Sequence, residues 1–279
     1  MCSPYEKRDG WQIFAVKHKG TIYLRQMDTE AQLKAEANKS EHQMRMCSWG
    51  YKFEQYVVED LRNEKEESFN ENRKFPPVNE NEEFCCMYRA RLGNHSVVYG
   101  AEMDGFRLRT PSEGALNLND IDLNQDGHFI ELKTTRTIDS PRLEARYLDI
   151  SLSHRARLTS TYFSSFARHK IIKWWCQTFL VCIPVVVCGF RDDHGIVSRL
   201  VDYPCAKLPS VGANYWLPNV CMNFLEAFLN FAKATAQEED VLYRFWWDPN
   251  SSEVHVVKPR HQDTNLVLPQ WYKDEIFAS

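Results

Sequence analysis

The sequence predicts an α/β fold: a single domain in which two mixed or antiparallel sheets are flanked by helices. Three observations predict it. Strand-like runs come in pairs joined by short turn signals, at Lys19-Gly20, Gly93-Asn94, Asp192-Asp193-His194 and Pro249-Asn250. Segments with apolar residues at three- and four-residue steps lie between the pairs. The regular strand–helix alternation of a doubly wound parallel sheet is missing.

The first hairpin pairs Trp11–Val16 with Thr21–Leu24, after a polar loop that ends Lys7-Arg8-Asp9-Gly10. A helix is expected over Thr29–Ala37, with Thr29 as N-cap and Glu30 in the first turn. A second helix is expected from Ser40 to Arg62, with Trp49, Phe53, Tyr56, Val57 and Leu61 on its apolar stripe. The Glu-, Asn- and Pro-rich stretch from Asn63 to Glu83 reads as a solvated loop. Phe84–Leu92 and Val97–Asp104 make the second hairpin, and Gly105–Asp126 reads as a polar connection to a strand over Phe129–Thr134. Ser140–Ala167 is irregular or weakly helical and carries Arg142, Arg146, Arg155 and Arg157. Arg168–Leu180 is a helix with Ile171, Ile172, Trp175 and Phe179 on its packed side. A third hairpin spans Val185–Arg191 and Gly195–Val201. Asn219–Gln237 is a helix rich in Phe, Leu and Ala, and Val241–Trp247 with Glu253–Val257 form the last hairpin.

The bulk numbers restrict the function. The chain has 279 residues, enough for one large domain or two small ones, and its 43% hydrophobic, 26% charged composition is that of a globular protein. A net charge of −4 supplies no global attraction to nucleic acid, so any such binding needs a local basic patch. The nine cysteines show no CxxC pair or zinc-like spacing, which fits buried, reduced thiols in an intracellular protein. The most apolar run, Phe179–Cys188, is too short to cross a bilayer. No secretory leader is legible at Met1, and the expected location is the nucleus, with the cytoplasm second.

Two stretches carry the chemistry. In a strand, residues i and i+2 share a face about 6 to 7 Å apart. Glu102 and Asp104 therefore share one face, and Glu131 and Lys133 another. If the two strands are neighbours, three carboxylates and an ammonium meet in one small volume. Bare carboxylates repel each other and resist burial. A hard divalent cation with oxygen ligands, Mg²⁺ or Mn²⁺, relieves both problems. The bland reading is an edge strand with solvated charges.

Longer stretches resemble one family, the DXO decapping exoribonucleases. Cys2-Ser3-Pro4-Tyr5-Glu6-Lys7-Arg8-Asp9-Gly10-Trp11 is similar to that family's arginine motif. Gly50-Tyr51-Lys52-Phe53-Glu54 is similar to its glycine-to-glutamate motif. Glu102-Met103-Asp104 and Glu131-Leu132-Lys133 are similar to its two acidic strand motifs, and Lys173–Leu180 to its glutamine motif. Val220–Phe224 and the Pro269-Gln270-Trp271-Tyr272 ending continue the similarity, which runs in order along nearly the whole chain. The family's N-terminal segment is expected to be missing from this chain.

The resemblance implies a core related to metal-dependent nucleases with an Asp…Glu-x-Lys signature. It implies an RNA 5′ end as substrate, bearing an incomplete cap, a triphosphate or NAD. A 5′-monophosphate RNA is the product, with 5′-to-3′ degradation in some members. One or two Mg²⁺ or Mn²⁺ ions would be held by Glu54, Glu102, Asp104, Glu131 and the backbone carbonyl of Leu132. Glu102, Asp104, Glu131, Lys133 and Gln177 would carry the reaction. Lys7, Arg8, Asp9, Cys85, Glu102, Lys133 and Gln177 would contact the substrate, Arg8 by gripping phosphate through two parallel hydrogen bonds. Arg89 and Arg91 fall on one strand face, a pattern suited to an RNA backbone. The alternative is a catalytically silent RNA-binding or scaffold relative. A DNA-directed nuclease with the same metal logic is a third reading.

Overall fold

The computed structural model describes residues 4–59, 75–80, 82–109, 121–123, 125–137 and 165–277. The helix end expected at 60–62, most of the loop expected at 63–83 and the basic residues Arg142, Arg146, Arg155 and Arg157 lie outside these residues. Two compact units are present. The first comprises Met1–Lys39, Leu92–His95 and Leu217–Ser279, and the second Ser40–Arg91 and Ser96–Trp216.

In the first unit, strands β1 (Trp11–His18), β2 (Thr21–Met27), β9 (Leu242–Asp248) and β10 (Glu253–Val257) form an antiparallel sheet in the order β10-β9-β1-β2. The β1–β2 turn uses Lys19 at φ 47° and Gly20 at φ 78°, the two left-handed residues that match a two-residue hairpin to strand twist. Trp11, Ile13 and Ala15 alternate onto the buried face and meet Tyr243, Phe245 and Trp247. Helix α5 (Pro218–Thr235) covers this face with Phe228 and Ala232. Helix α1 (Glu30–Ala37) starts at the expected cap: the Gln32 N–H donates to Thr29 Oγ1, and Gln32 Oε1 accepts from the Thr29 N–H, a complete capping box. A C-terminal helix, α6 (Gln270–Phe277), was not anticipated from the sequence.

In the second unit, β5 (Gly105–Leu108), β6 (Gly127–Arg136), β7 (Val185–Arg191) and β8 (Val197–Pro204) form a mixed sheet in that order. β6 and β7 run parallel, while the outer pairs are antiparallel. A parallel pair needs a long crossover. Part of it is α3 (Ile171–Leu180), entered through a π-helical turn over Phe166–Lys170. Ile171, Ile172, Trp174, Trp175 and Thr178 of α3 are buried; Phe179 is 48% exposed, against expectation, although its ring stacks on Trp175. A short helix, α4 (Leu208–Gly212), follows β8. Strands β3 (Cys85–Leu92) and β4 (His95–Glu102) form a separate two-stranded sheet. Among the described residues no helix is long and apolar enough to cross a membrane.

The α/β class with mixed and antiparallel sheets is as predicted, and three details are corrected. Helix α2 (Glu41–Val57) stops at Val58, which is extended at φ −112°, ψ 132°. Adjacent β-branched Val57 and Val58 favour that change. Among the described residues of its expected stripe only Phe53 is buried, and Tyr56 and Val57 are exposed. The strand expected to reach Asp104 ends at Glu102 and pairs with β3, so it is not the neighbour of the Glu131 strand. The neighbour is β5, four residues long, in a stretch read as a polar connection; so short a run is below the length at which alternation is legible.

Candidate functional site

Glu102, Met103 and Asp104 occupy the end of β4 and the break before β5. Met103 is buried against Val181 and Ile183, and its N–H donates to the Phe84 carbonyl at 2.8 Å. With Met103 tied inward, its two acidic neighbours project away from that core. The Gly105–Ile130 pair opens the β5–β6 ladder. Asp104, one residue earlier, is thereby brought beside Glu131. Its Oδ2 accepts a hydrogen bond from the Leu132 N–H at 2.7 Å. Asp104 thus reaches Glu131 by a strand-to-strand handover, and the shared face with Glu102 in one strand plays no part.

Glu131 and Lys133 share a face of β6, as their spacing predicts, and form an ion pair. Glu131 is only 6% exposed. On the intervening positions Ile130 and Leu132 pack with Val187 and Phe53. Phe53 is the anchor of α2, and Gly189 makes room for it: a Cβ there would lie 2.7 Å from the Phe53 ring. Glu54 follows the anchor and is carried toward the acidic group.

The electrostatics bind these side chains into one group. Burial raises the Glu54 carboxyl to about 7, with Asp104, Glu102 and Glu131 adding to the rise and Lys133 opposing it. Burial likewise raises Glu102, helped by Glu83 and Asp104. Asp104 is raised by burial against the pull of Lys133 and the Leu132 amide. Glu131 is raised by burial and, beyond Lys133, by Asp104 and Glu102. Burial disfavours the Lys133 ammonium, but Glu131, Asp104 and Glu54 outweigh it and leave its pKa raised. One cation faces four carboxylates.

An excess of buried negative charge on hard oxygen donors suits a divalent cation. Among the described residues, however, no three Asp, Glu, His or Cys side chains converge on a point where an ion could sit as they stand. As they stand, Glu131 pairs with Lys133, and Asp104 accepts from the Leu132 amide. The donor chemistry of these carboxylates fits a hard divalent ion.

Cys85 is exposed at the start of β3 in the same unit. Gln177 lies on the exposed side of α3, and among the described residues none of the hydrogen bonds or ion pairs of the acidic group reaches it. Lys7, Arg8 and Asp9 belong to the first unit, where Lys7 Nζ contacts Ser252 Oγ and the Arg8 N–H donates to Glu6 Oε1 at 2.9 Å. Three residues escaped the sequence reading. Glu83 borders Glu102, and Tyr51, one helical turn before Glu54, has its hydroxyl pKa raised by burial and then by Glu80, Glu54 and Glu102. The i, i+3 spacing of Tyr51 and Glu54 was a legible signal; Glu80 and Glu83 lie in a stretch whose acidity looked generic.

A model of the RAI1-like PD-(D/E)XK nucleases matches residues 1–273. The chain is 32% identical over 282 residues to the decapping and exoribonuclease protein of Bos taurus, covering 99% of this chain and 62% of that protein. It is 31% identical to the corresponding Rai1 protein of Drosophila melanogaster, covering 98% and 64%. It therefore spans a little under two thirds of the length of these relatives. Among solved structures, Rai1 of Scheffersomyces stipitis in complex with (3′-NADP)⁺ and calcium ion is similar at a TM-score of 0.74 and 19% identity, over 100% of this chain and 71% of that one. Candida albicans Rai1 with pU5 and Mn²⁺ is similar at 0.68 and 21%, over 98% and 70%. At these identities the structural likeness speaks to the fold.

Proposed function

The chain belongs to the family of RAI1-like PD-(D/E)XK nucleases, and from that premise we propose that it is a divalent-metal-dependent nuclease acting on the 5′ end of RNA. It removes an incomplete cap, a 5′ triphosphate or an NAD cap and leaves a 5′-monophosphate RNA, with 5′-to-3′ exonuclease activity as a further capacity. One observation carries the reading: Glu54, Glu102, Asp104, Glu131 and Lys133, scattered over eighty residues, form a single electrostatically coupled group. The decapping and exoribonuclease functions of the relatives, and the nucleotide, RNA and metal ligands of the solved Rai1 structures, support it. A silent RNA-binding relative would have no need to keep four mutually repelling carboxylates in one place.

Glu54, Glu102, Asp104, Glu131 and the Leu132 carbonyl would hold Mg²⁺ or Mn²⁺, one ion or two. Such an ion supplies charge neutralisation at the phosphate and lowers the pKa of a water in the site. The rest falls to the chain's own groups. Lys133 would offer its ammonium to a non-bridging phosphate oxygen, where charge grows in the transition state. Gln177 orients water or phosphate with a neutral amide. Glu102, the exposed carboxylate of the group, would align the attacking water. The family resemblance assigns Arg8 to substrate phosphate and Lys7, Asp9 and Cys85 to the end group.

Incubation with 5′-triphosphate RNA and NAD-capped RNA, with and without EDTA, tests the reading. The expected outcome is release of the end group with Mg²⁺ or Mn²⁺, loss of release in EDTA, and loss in Asp104→Ala and Glu131→Ala with the fold retained. Equal release by either variant overturns the assignment. Preference for DNA over RNA moves the protein to the third class considered from the sequence.

A further inference from the structure

We propose that the outer face of the β3–β4 hairpin is the track on which the body of a single-stranded RNA lies, with its 5′ end at Glu102 and its downstream nucleotides passing Arg89 and Arg91; the proposal rests on the decapping reading of the acidic site.

Exposure alternates strictly along both strands. The inner face is structural: Cys86, Tyr88, Tyr99 and Ala101 pack on Met103, Val181 and Ile183, with Tyr88 and Tyr99 stacked at 6.0 Å. The outer face carries Cys85, Met87, Arg89 and Arg91 from β3, and Ser96, Val98, Gly100 and Glu102 from β4. Met87 at 71% and Val98 at 66% are the two most exposed large apolar side chains among the described residues. Both stand on the one outer face of the hairpin, between the arginines and Glu102.

Charge and continuity choose its occupant. The face carries two guanidiniums, and its one acidic residue, Glu102, stands at the end that belongs to the coupled carboxylates. A polyanion whose cleaved phosphate sits at the carboxylates can run its remaining phosphates toward the arginines, while Met87 and Val98 meet ribose and base surfaces between them. Gly100 keeps the passage low beside Glu102. A Cβ there would lie 3.1 Å from Cys85 Sγ and 3.4 Å from Met87 Sδ, filling the floor between the site and the arginines. From Cys85 to Arg91 the strand rises about 20 Å at about 3.3 Å per residue, the reach of about six stacked nucleotides.

The test is fluorescence anisotropy of a fluorescein-labelled ten-nucleotide oligouridylate with a 5′ monophosphate, in EDTA so that no cleavage occurs, across a salt series. The double variant Arg89→Ser/Arg91→Ser is expected to bind about ten-fold more weakly at low salt. Its slope of log affinity against log salt should flatten by about 1.4, at about 0.7 for each lost phosphate contact on a single strand. Val98→Asp, which adds a negative charge to the same exposed face, should weaken binding as well. End-group release from a capped dinucleotide, too short to reach Arg89, should be unchanged in the double variant. Unchanged oligouridylate affinity and slope in the double variant overturns the proposal, as does dimerisation of the wild type through this face in sedimentation with RNA binding unaffected by Arg89→Ser/Arg91→Ser. Arginine-dependent RNA binding by a wild type that releases no end group upholds the track and contradicts the decapping reading alone.

Discussion

At Glu54, burial and the charges of Asp104, Glu102 and Glu131 act in the same direction. Its carboxyl is raised to about 7 from an ordinary carboxylate value. A carboxyl whose folded pKa exceeds its unfolded one binds more protons in the native state, so its contribution to stability falls as pH rises from about 4.5 to 7. In metal-free buffer, Glu54→Gln should therefore match the wild type in thermal midpoint near pH 5 and exceed it at pH 8; the same difference at both pH values would contradict the coupling. Lys133 is the counter-charge of the group. Removing it as Lys133→Ala should lower turnover by about 10²- to 10³-fold, the usual effect of losing one preorganised donor to transition-state charge. A pH–rate profile and circular dichroism would separate this from misfolding. The Glu131–Lys133 pairing was legible in the sequence because a period of two fixes who shares a face. The expected route of Asp104 to Glu131, along one strand with Glu102, is replaced by one that depends on the burial of Met103 and on a pairing between β5 and β6 that no local pattern announces.

At the scale of elements, the site depends on α2 being held against the mixed sheet. Phe53 sits over Ile130, Leu132 and Val187, and Gly189 leaves the space it occupies. Gly189→Val should displace Phe53, cost about 1–3 kcal/mol of stability by overpacking, and reduce turnover further than stability alone explains, because Glu54 moves with its neighbour. Unfolding curves and kcat measured on the same preparation check this, and full turnover in a destabilised variant would separate α2 from the site. Hairpins β1–β2, β7–β8 and β9–β10 were legible because turn residues and alternating apolar runs reinforce each other. β5 and α6 were not. The first is too short for periodicity, and the second carries exposed Trp271 and Ile276, so no apolar stripe announced it.

For the whole molecule, a ligand that binds only the native state stabilises it by an amount that grows with the logarithm of free ligand over its dissociation constant. Mn²⁺ at about a hundred times its dissociation constant should stabilise the wild type by about 2.7 kcal/mol. It should leave Asp104→Ala and Glu131→Ala close to their metal-free midpoints, as differential scanning fluorimetry would record. The sequence pattern predicts one domain, and a single cooperative transition is the expected shape of that melt; two resolved transitions would assign the two units separate stabilities. The fold class was legible because it follows from the count and pairing of elements. The assembly of the site was legible only as residue types, since distances between Glu54, Asp104 and Glu131 depend on packing far from each in sequence.

The most direct measurement is anomalous X-ray scattering from crystals equilibrated with Mn²⁺. The account predicts a peak bounded by Glu54, Asp104 and Glu131, with Glu131 turned away from Lys133 toward it. A peak elsewhere, or none with Glu131 still paired to Lys133, would contradict it.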